Sequence, residues 1–145
     1  MVRMHKSVQD TFKEPFALKI LGTVDTSGKP NTAYVGSLFV VDDETVGFAD
    51  TMMVKTRQNL EDTRRVSVLI YKPALSASST LLGGIACYQL KGTFEGWQTS
   101  GPLYEEYNDT LAIRLNNSTN ARAIGLIKVE EVYLSMAPIP GKRIA

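Results

Sequence analysis

Apolar and β-branched residues occur in six short stretches along the chain, separated by residues that favour turns. The stretches cover residues 18–24, 31–41, 45–49, 66–71, 85–97 and 121–136. Their length and their content of Val, Ile, Leu and aromatic residues predict β-strands. The intervening runs DTSGKP and VDDE are rich in turn formers, so they predict β-hairpins between the first three strands. The fourth stretch is almost entirely apolar, and we expect that strand to be buried on both faces. In the fifth stretch, Gly92 predicts a bulge or a point of close contact.

Three other segments have the composition and spacing of helices. They cover residues 2–16, 52–63 and 100–115. In the first, Val8, Phe12 and Phe16 are spaced to share one helical face. The second follows Asp50 and Thr51, whose side chains are of the type that caps the first turn of a helix.

The order of these elements favours an antiparallel fold. Strands joined by short hairpins argue against βαβ units and for a barrel or sandwich. The sequence therefore predicts a mainly β, α+β fold, a six-stranded antiparallel barrel with peripheral helices. With 145 residues, no internal repeat and no linker, residues 1–145 are expected to form a single domain.

Composition limits the classes of function and location. Sixteen basic and fifteen acidic residues give a net charge of +1, which argues against nucleic-acid binding because phosphate backbones favour a strong basic excess. The single cysteine excludes an internal disulfide and suits a reducing compartment. The polar N-terminal region and the lack of an apolar run of ~20 residues argue against a signal peptide and a membrane span. We therefore expect a cytoplasmic protein that binds no membrane.

Side-chain catalysis is poorly supplied by this sequence. His5 is the only histidine and Cys87 the only cysteine, so neither a Ser-His-Asp triad, a Cys-His pair nor a His/Cys metal site is expected. His5 is interpreted as a surface residue and Cys87 as a small core residue. No catalytic side chain is identified, and a bound cofactor is the natural source of reactivity.

One region combines features of a cofactor site. Gly36 lies in the middle of a predicted strand, where glycine weakens a sheet unless a flat group approaches the backbone. Thr51, Lys55 and Thr56 lie near the start of the next helix, where free N–H groups bind anions. A ligand with a planar ring and a phosphate would fit this pattern. The alternative is that Gly36 forms a bulge and Lys55 is a solvated helix residue.

Four pieces of the sequence together resemble the pyridoxamine 5'-phosphate oxidase-like FMN-binding split-barrel family. The run GTVDTSGKPN at 22–31, followed by YVGS at 34–37, resembles the opening hairpin of the family. FAD at 48–50 with KTRQNL at 55–60 resembles its third strand and phosphate-binding helix start. YQLKG at 88–92 and VEEVY at 129–133 resemble its central and last strands. The resemblance extends from about residue 18 to residue 136 and implies a split β-barrel.

The resemblance implies FMN as the cofactor and assigns residues to its parts. The residues along the isoalloxazine ring would be Tyr34, Val35, Gly36 and Ser37. Those on the route to the ribityl chain would be Ala49, Asp50 and Thr51. Lys55 and Thr56 would hold the phosphate, and Asn59 is a weaker candidate one turn later.

Family members are typically homodimers with both flavins at the subunit interface. The resemblance therefore makes Gln89 and the segment 78–84 candidates to reach the flavin of the partner. An ordinary strand residue and an ordinary loop are the alternatives. Trp97, Tyr104 and Tyr107 are candidates to cap the ring, although an aromatic stripe is more often core.

The resemblance implies a flavin-dependent oxidoreductase that takes electrons from NAD(P)H or another donor. The alternatives are a non-catalytic flavin-binding or electron-carrier protein, or a barrel that binds another cofactor such as a deazaflavin or haem. The tail APIPGKRIA at 137–145 lacks the C-terminal arginine segment of true pyridoxamine phosphate oxidases, which argues against vitamin B6 oxidation.

Overall fold

The computed structural model describes residues 2–73, 85–114, 121–135 and 140–145, with the backbone alone at 110–114. The helices are α1 (Lys6–Lys13), α2 (Lys55–Thr63) and α3 (Pro102–Arg114). The first four strands are β1 (Leu18–Val24), β2 (Pro30–Tyr34), β3 (Phe39–Asp42) and β4 (Thr45–Asp50). The others are β5 (Arg65–Lys72), β6 (Ala86–Gln98), β7 (Ala123–Leu134) and β8 (Lys142–Arg143).

All of these strands belong to one antiparallel sheet. Their order is β2-β1-β5-β6-β7-β4-β3, and the short β8 pairs with β7. The two end strands, β2 and β3, do not pair with each other, although only residues 35–38 separate them in the chain. Because a chain of that length spans at most roughly 17 Å, the sheet must curl until its edges almost meet. This confirms the antiparallel split-barrel α+β fold, with eight strands in the described residues rather than six.

Part of the difference in strand number arises at the predicted strand over 31–41. The structure divides it into β2 and β3, with a turn at 35–38 in which the Leu38 N–H donates to the Val35 carbonyl at 3.2 Å. Val35 and Leu38 are buried in the core, which fixes the turn. Gly36 therefore lies in a turn at the open seam of the barrel, and its predicted mid-strand position is wrong.

Two further local predictions are corrected by the structure. In β5, buried Val66, Val68 and Ile70 alternate with half-buried residues, so the strand is not buried on both faces. In α1, Val8 and Phe12 are buried as predicted. Phe16 lies beyond the end of the helix and is 65% exposed. The physical reason is that the helix ends at Lys13, before Pro15, so the helical spacing stops short of Phe16.

The predicted bulge at Gly92 is confirmed. The pairing of β6 with β7 shifts register between Lys91 and Gly92. A Cβ atom at Gly92 would lie 2.2 Å from the Lys128 carbonyl oxygen. Only a residue without a side chain permits this approach of the two strands.

Within the described residues, none of the helices combines the length and the apolar character required to cross a membrane.

Candidate functional site

A cleft of about 350 Å³ opens between the ends of β2 and β4 and the start of α2. This volume is within the ~300–1,000 Å³ range typical of small-molecule sites. The cleft is lined by Ala33, Tyr34, Val35, Gly36, Ser37, Ala49, Thr51, Met52, Met53 and Thr56. All of these except Ala33, Met52 and Met53 are predicted from the sequence to contact the cofactor. None of the lining side chains is charged.

Hydrogen bonds fix the turn at 35–38 against β4. The Ala49 N–H donates to Ser37 Oγ at 3.0 Å, and Ser37 Oγ lies 3.4 Å from the Ala49 carbonyl oxygen, to which it can donate. From the other side, the Tyr107 hydroxyl donates to the Ser37 carbonyl at 2.7 Å. The Tyr107 ring also stacks on Phe39, with 4.4 Å between ring centroids. Ser37 is thus held in place by its neighbours.

Gly36 presents bare backbone to the cleft. A Cβ atom built at this position has only atoms of the Tyr34 ring as its three nearest neighbours, the closest at 3.2 Å. Tyr34 is 67% exposed, so its ring is free to move aside. Because Gly36 lines the cleft, we expect a larger side chain there to occupy part of it.

The start of α2 has no side-chain cap. Its N-cap residue is Val54, and the first intrahelical bond runs from the Gln58 N–H to the Val54 carbonyl at 3.1 Å. The predicted caps, Asp50 and Thr51, do not cap α2, because the helix begins at Lys55 rather than at residue 52. An uncapped helix start leaves N–H groups and the positive end of the helix dipole for an anion.

Two buried polar residues of α2 connect the helix to the β1–β2 hairpin. Thr56, which is 6% exposed, accepts a hydrogen bond from Asn31 Nδ2 at 3.2 Å. Asn59 is fully buried and donates to Thr23 Oγ1 at 3.1 Å. Asn59 Oδ1 is the buried side-chain atom that lacks a hydrogen-bond partner among the described residues. Asn59 itself does not line the cleft.

Lys55 lies outside the lining of the cleft. Its Nζ is 3.8 Å from Asp25 Oδ2, and its side chain is 53% exposed. At that distance and exposure the ion pair is weak. The ammonium group is therefore free to turn toward a ligand at the start of α2.

Asp25 organises the turn between β1 and β2. Its Oδ1 accepts hydrogen bonds from Ser27 Oγ at 2.6 Å and from the Ser27 and Lys29 N–H groups, both at 2.9 Å. The Ser27 hydroxyl chiefly, with the Lys29 N–H and, more weakly, Lys55, holds the pKa of Asp25 below its ordinary value of 3.8.

We expect the Asp25 carboxyl to titrate below pH 3.8 in an NMR titration of the folded protein. Because its folded pKa is depressed, this carboxylate contributes stability that is complete above the ordinary pKa and is lost as pH falls through the folded pKa. Asp25→Asn should remove that part of the acid dependence, whereas Asp10→Asn on the exposed face of α1 serves as the control. A titration midpoint at or above the ordinary value would contradict this prediction.

Asp50 lies beneath the cleft rather than in its lining. The residue is fully buried at the end of β4. Its carboxylate forms ion pairs with Arg57 and with Arg122, the latter at 2.9 Å, and accepts the Met53 N–H at 2.9 Å. Neither arginine is predicted from the sequence to have a role at the site. A buried carboxylate requires a cationic partner, but Arg122 is 72 residues away in the chain, so no local pattern could identify it.

Gln89 also lies away from the cleft. It is on β6, directly opposite Leu69 of β5 and Tyr133 of β7. The segment 78–84, the other candidate to reach a partner, falls outside the described residues. The three aromatic residues considered as ring caps, Trp97, Tyr104 and Tyr107, do not line the cleft.

Comparison with known proteins establishes the family. Residues 4–136 match the family model described as pyridoxamine 5'-phosphate oxidase. The chain belongs to this family. Among curated protein sequences, none is significantly similar to it.

Several solved protein structures are similar to this chain in fold. HupZ of Group A Streptococcus is 23% identical, with a TM-score of 0.73 over 98% of this chain and 99% of that one. An FMN-binding protein from Syntrophomonas wolfei is 15% identical, with a TM-score of 0.72 over 86% and 80% of the two chains. HutZ from Vibrio cholerae, a haem storage protein, is 16% identical, with a TM-score of 0.63 over 92% and 95%. These similarities confirm the predicted fold of this family member, and they include proteins that differ in ligand.

Proposed function

We propose that this family member binds FMN in the cleft and acts as a flavin-dependent oxidoreductase. The observation that carries the proposal is the juxtaposition of the bare Gly36 backbone with the uncapped start of α2 across one cleft. A planar ring suits the first feature and a phosphate suits the second. Bound FMN would supply hydride or electron transfer, chemistry that the side chains of this chain do not provide.

The residues of the cleft would orient the cofactor. The backbone around Ser37 and Ala49 would lie along the ring as a rigid surface, because its polar groups are held by hydrogen bonds within the protein. The Thr51 and Thr56 hydroxyls and the first N–H groups of α2 would meet the phosphate. Since the lining is uncharged and Arg57 is paired with Asp50, Lys55 at the start of α2 would add the positive charge.

We further propose that the protein is a homodimer with FMN at the subunit interface. Five residues lie side by side on neighbouring strands, on the outer face of the sheet. They are Tyr34, Ile20, Leu69, Gln89 and Tyr133. Directly opposed residues share a face of a sheet, so these side chains form a continuous row, largely apolar. The row reaches the cleft at Tyr34, so a second copy seated on it would border the flavin. Analytical ultracentrifugation of the flavin-loaded protein tests whether it is a dimer.

The visible spectrum of the purified protein, before and after addition of FMN, tests the cofactor. We expect a flavin spectrum with one FMN per chain. A haem Soret band, a deazaflavin spectrum or no uptake of FMN would overturn the proposal.

Stopped-flow mixing with NADH and with NADPH then distinguishes an enzyme from an electron carrier. Fast, saturable bleaching of the flavin supports an oxidoreductase, whereas no reduction by either nucleotide favours the carrier.

Lys55→Ala should weaken FMN binding by ~1.5–3 kcal/mol, the contribution of one hydrogen bond to a charged group. A fluorescence titration of FMN measures the change. Lys6→Ala is the control, because Lys6 is an exposed residue of α1 paired with Asp10. If the two variants bind FMN equally, Lys55 does not contact the phosphate.

A further inference from the structure

The segment 51–53, which we call the cleft wall, is fastened to the sheet by two side chains. The Met53 N–H donates to Asp50 Oδ1 at 2.9 Å. The Met53 carbonyl accepts from Arg122 Nη2 at 2.7 Å. Both backbone polar groups of Met53 are thus held by residues that are also paired with each other, at 2.9 Å.

These two side chains connect the cleft wall to two strands. Asp50 is the last residue of β4, and its carbonyl accepts the Arg122 N–H at 2.7 Å, just before β7 begins. The second oxygen of the Asp50 carboxylate pairs with Arg57 of α2. A single buried carboxylate therefore links β4, α2, the cleft wall and the start of β7.

Burial makes the Asp50 carboxylate dependent on its two arginine partners. Asp50 is fully buried, whereas the Arg57 and Arg122 side chains are 30% and 50% exposed. A desolvated carboxylate is tolerated only while its partners remain in place. The Met53 backbone is consequently held against the sheet, and Met52 and Met53 lie in the lining of the cleft.

We propose that Asp50 is a positioning residue that, together with Arg122, presets the cleft wall for its ligand. The proposal rests on FMN binding in the cleft, and it departs from the expectation that Asp50 contacts the ribityl chain. Asp50 acts through Met53 rather than on the cofactor. A cleft wall that is already ordered before binding lowers the loss of conformational entropy when the ligand binds.

The test compares Asp50→Asn and Arg122→Gln with Glu61→Gln. Asp50→Asn keeps the shape of the side chain, but the new amide group would place N–H donors against a guanidinium. Glu61 pairs with Arg57 at 3.2 Å and accepts from Trp97 Nε1 at 3.1 Å, yet it does not contact the cleft wall, so its variant is the matched control. Arg122→Gln keeps the buried carboxylate paired with Arg57 and provides a second variant if Asp50→Asn does not fold.

Two measurements separate positioning from general stability. Hydrogen exchange of the Met53 amide in the FMN-free protein should accelerate at least ~10-fold in Asp50→Asn and Arg122→Gln at temperatures where both remain folded, and should not change in Glu61→Gln. The dissociation constant for FMN should rise about 10-fold in the first two variants and less than about 2-fold in the control.

Unchanged Met53 exchange would overturn the fastening of the wall, and faster exchange with an unchanged dissociation constant would overturn its role in binding. If the wild-type protein itself takes up no FMN, the proposed function fails. The exchange measurement still reports on the wall in that case, because it needs no flavin.

Discussion

Gly36→Val should purify without bound flavin and should weaken FMN binding at least about 100-fold, or ~2.8 kcal/mol. The three nearest atoms to a Cβ at Gly36 belong to the exposed Tyr34 ring, so the added branches of valine would project into the cleft. Fluorescence titration and the flavin content of the purified protein measure the effect. This result directly tests the proposed position of the isoalloxazine ring.

The same variant should leave the fold intact. Gly36 is exposed and does not have a positive φ angle, so valine does not strain the backbone there. We expect the free energy of unfolding to change by less than about 1 kcal/mol. Gly36→Ala is the graded control, because a single methyl group reaches only the exposed Tyr34 ring and should have a small effect. A Gly36→Val protein that carries a full complement of FMN would show that the ring does not lie beside this backbone.

Gly92→Ala should lower the free energy of unfolding by about 3 kcal/mol, the upper part of the usual range for overpacked sites. The new methyl group would lie 2.2 Å from the Lys128 carbonyl oxygen and 3.0 Å from Ile127 Cγ2. Relief requires the two longest strands, β6 and β7, to separate at the bulge. Urea denaturation followed by far-UV circular dichroism measures the loss.

Gly22→Ala is the matched control for this substitution. Gly22 also lies within a strand, but a Cβ there would meet Ser67 at 3.4 Å and beyond, an ordinary contact distance. We expect a change of less than about 1 kcal/mol, within the range of strand propensities. Equal stability of the two variants would mean that β6 and β7 can part at the bulge without cost.

The sequence predicts the antiparallel sheet well, because strand formation depends on local composition. Residues 18–24, 45–49 and 66–71 lie in β1, β4 and β5 within one residue at each end. The hairpin turn at 25–30 is confirmed as well, since Asp25 makes its hydrogen bonds within four residues of itself. The bulge at Gly92 follows from the same kind of local reasoning.

Only part of the candidate site can be predicted from residues that are close in the sequence. The hairpin of β3 and β4 brings the segment with Tyr34, Gly36 and Ser37 into contact with Ala49 and Thr51. This proximity could be inferred from the pattern of strands and turns in the sequence. Asn59 and Gln89 were inferred from resemblance alone, and neither lines the cleft. Whether those two residues contact FMN in the dimer stays a prediction.

Most of the strands, their turns and the proximity of a glycine, hydroxyls and a helix start can be predicted from the sequence, because each depends on residues near one another in the chain. The bend of the stretch 31–41 at the open seam of the barrel cannot be predicted in this way, because it arises where the curled sheet brings its two end strands close together. The ion pair between Asp50 and Arg122 could not be predicted from local sequence either, since the pairing of β4 with β7 brings these two residues together.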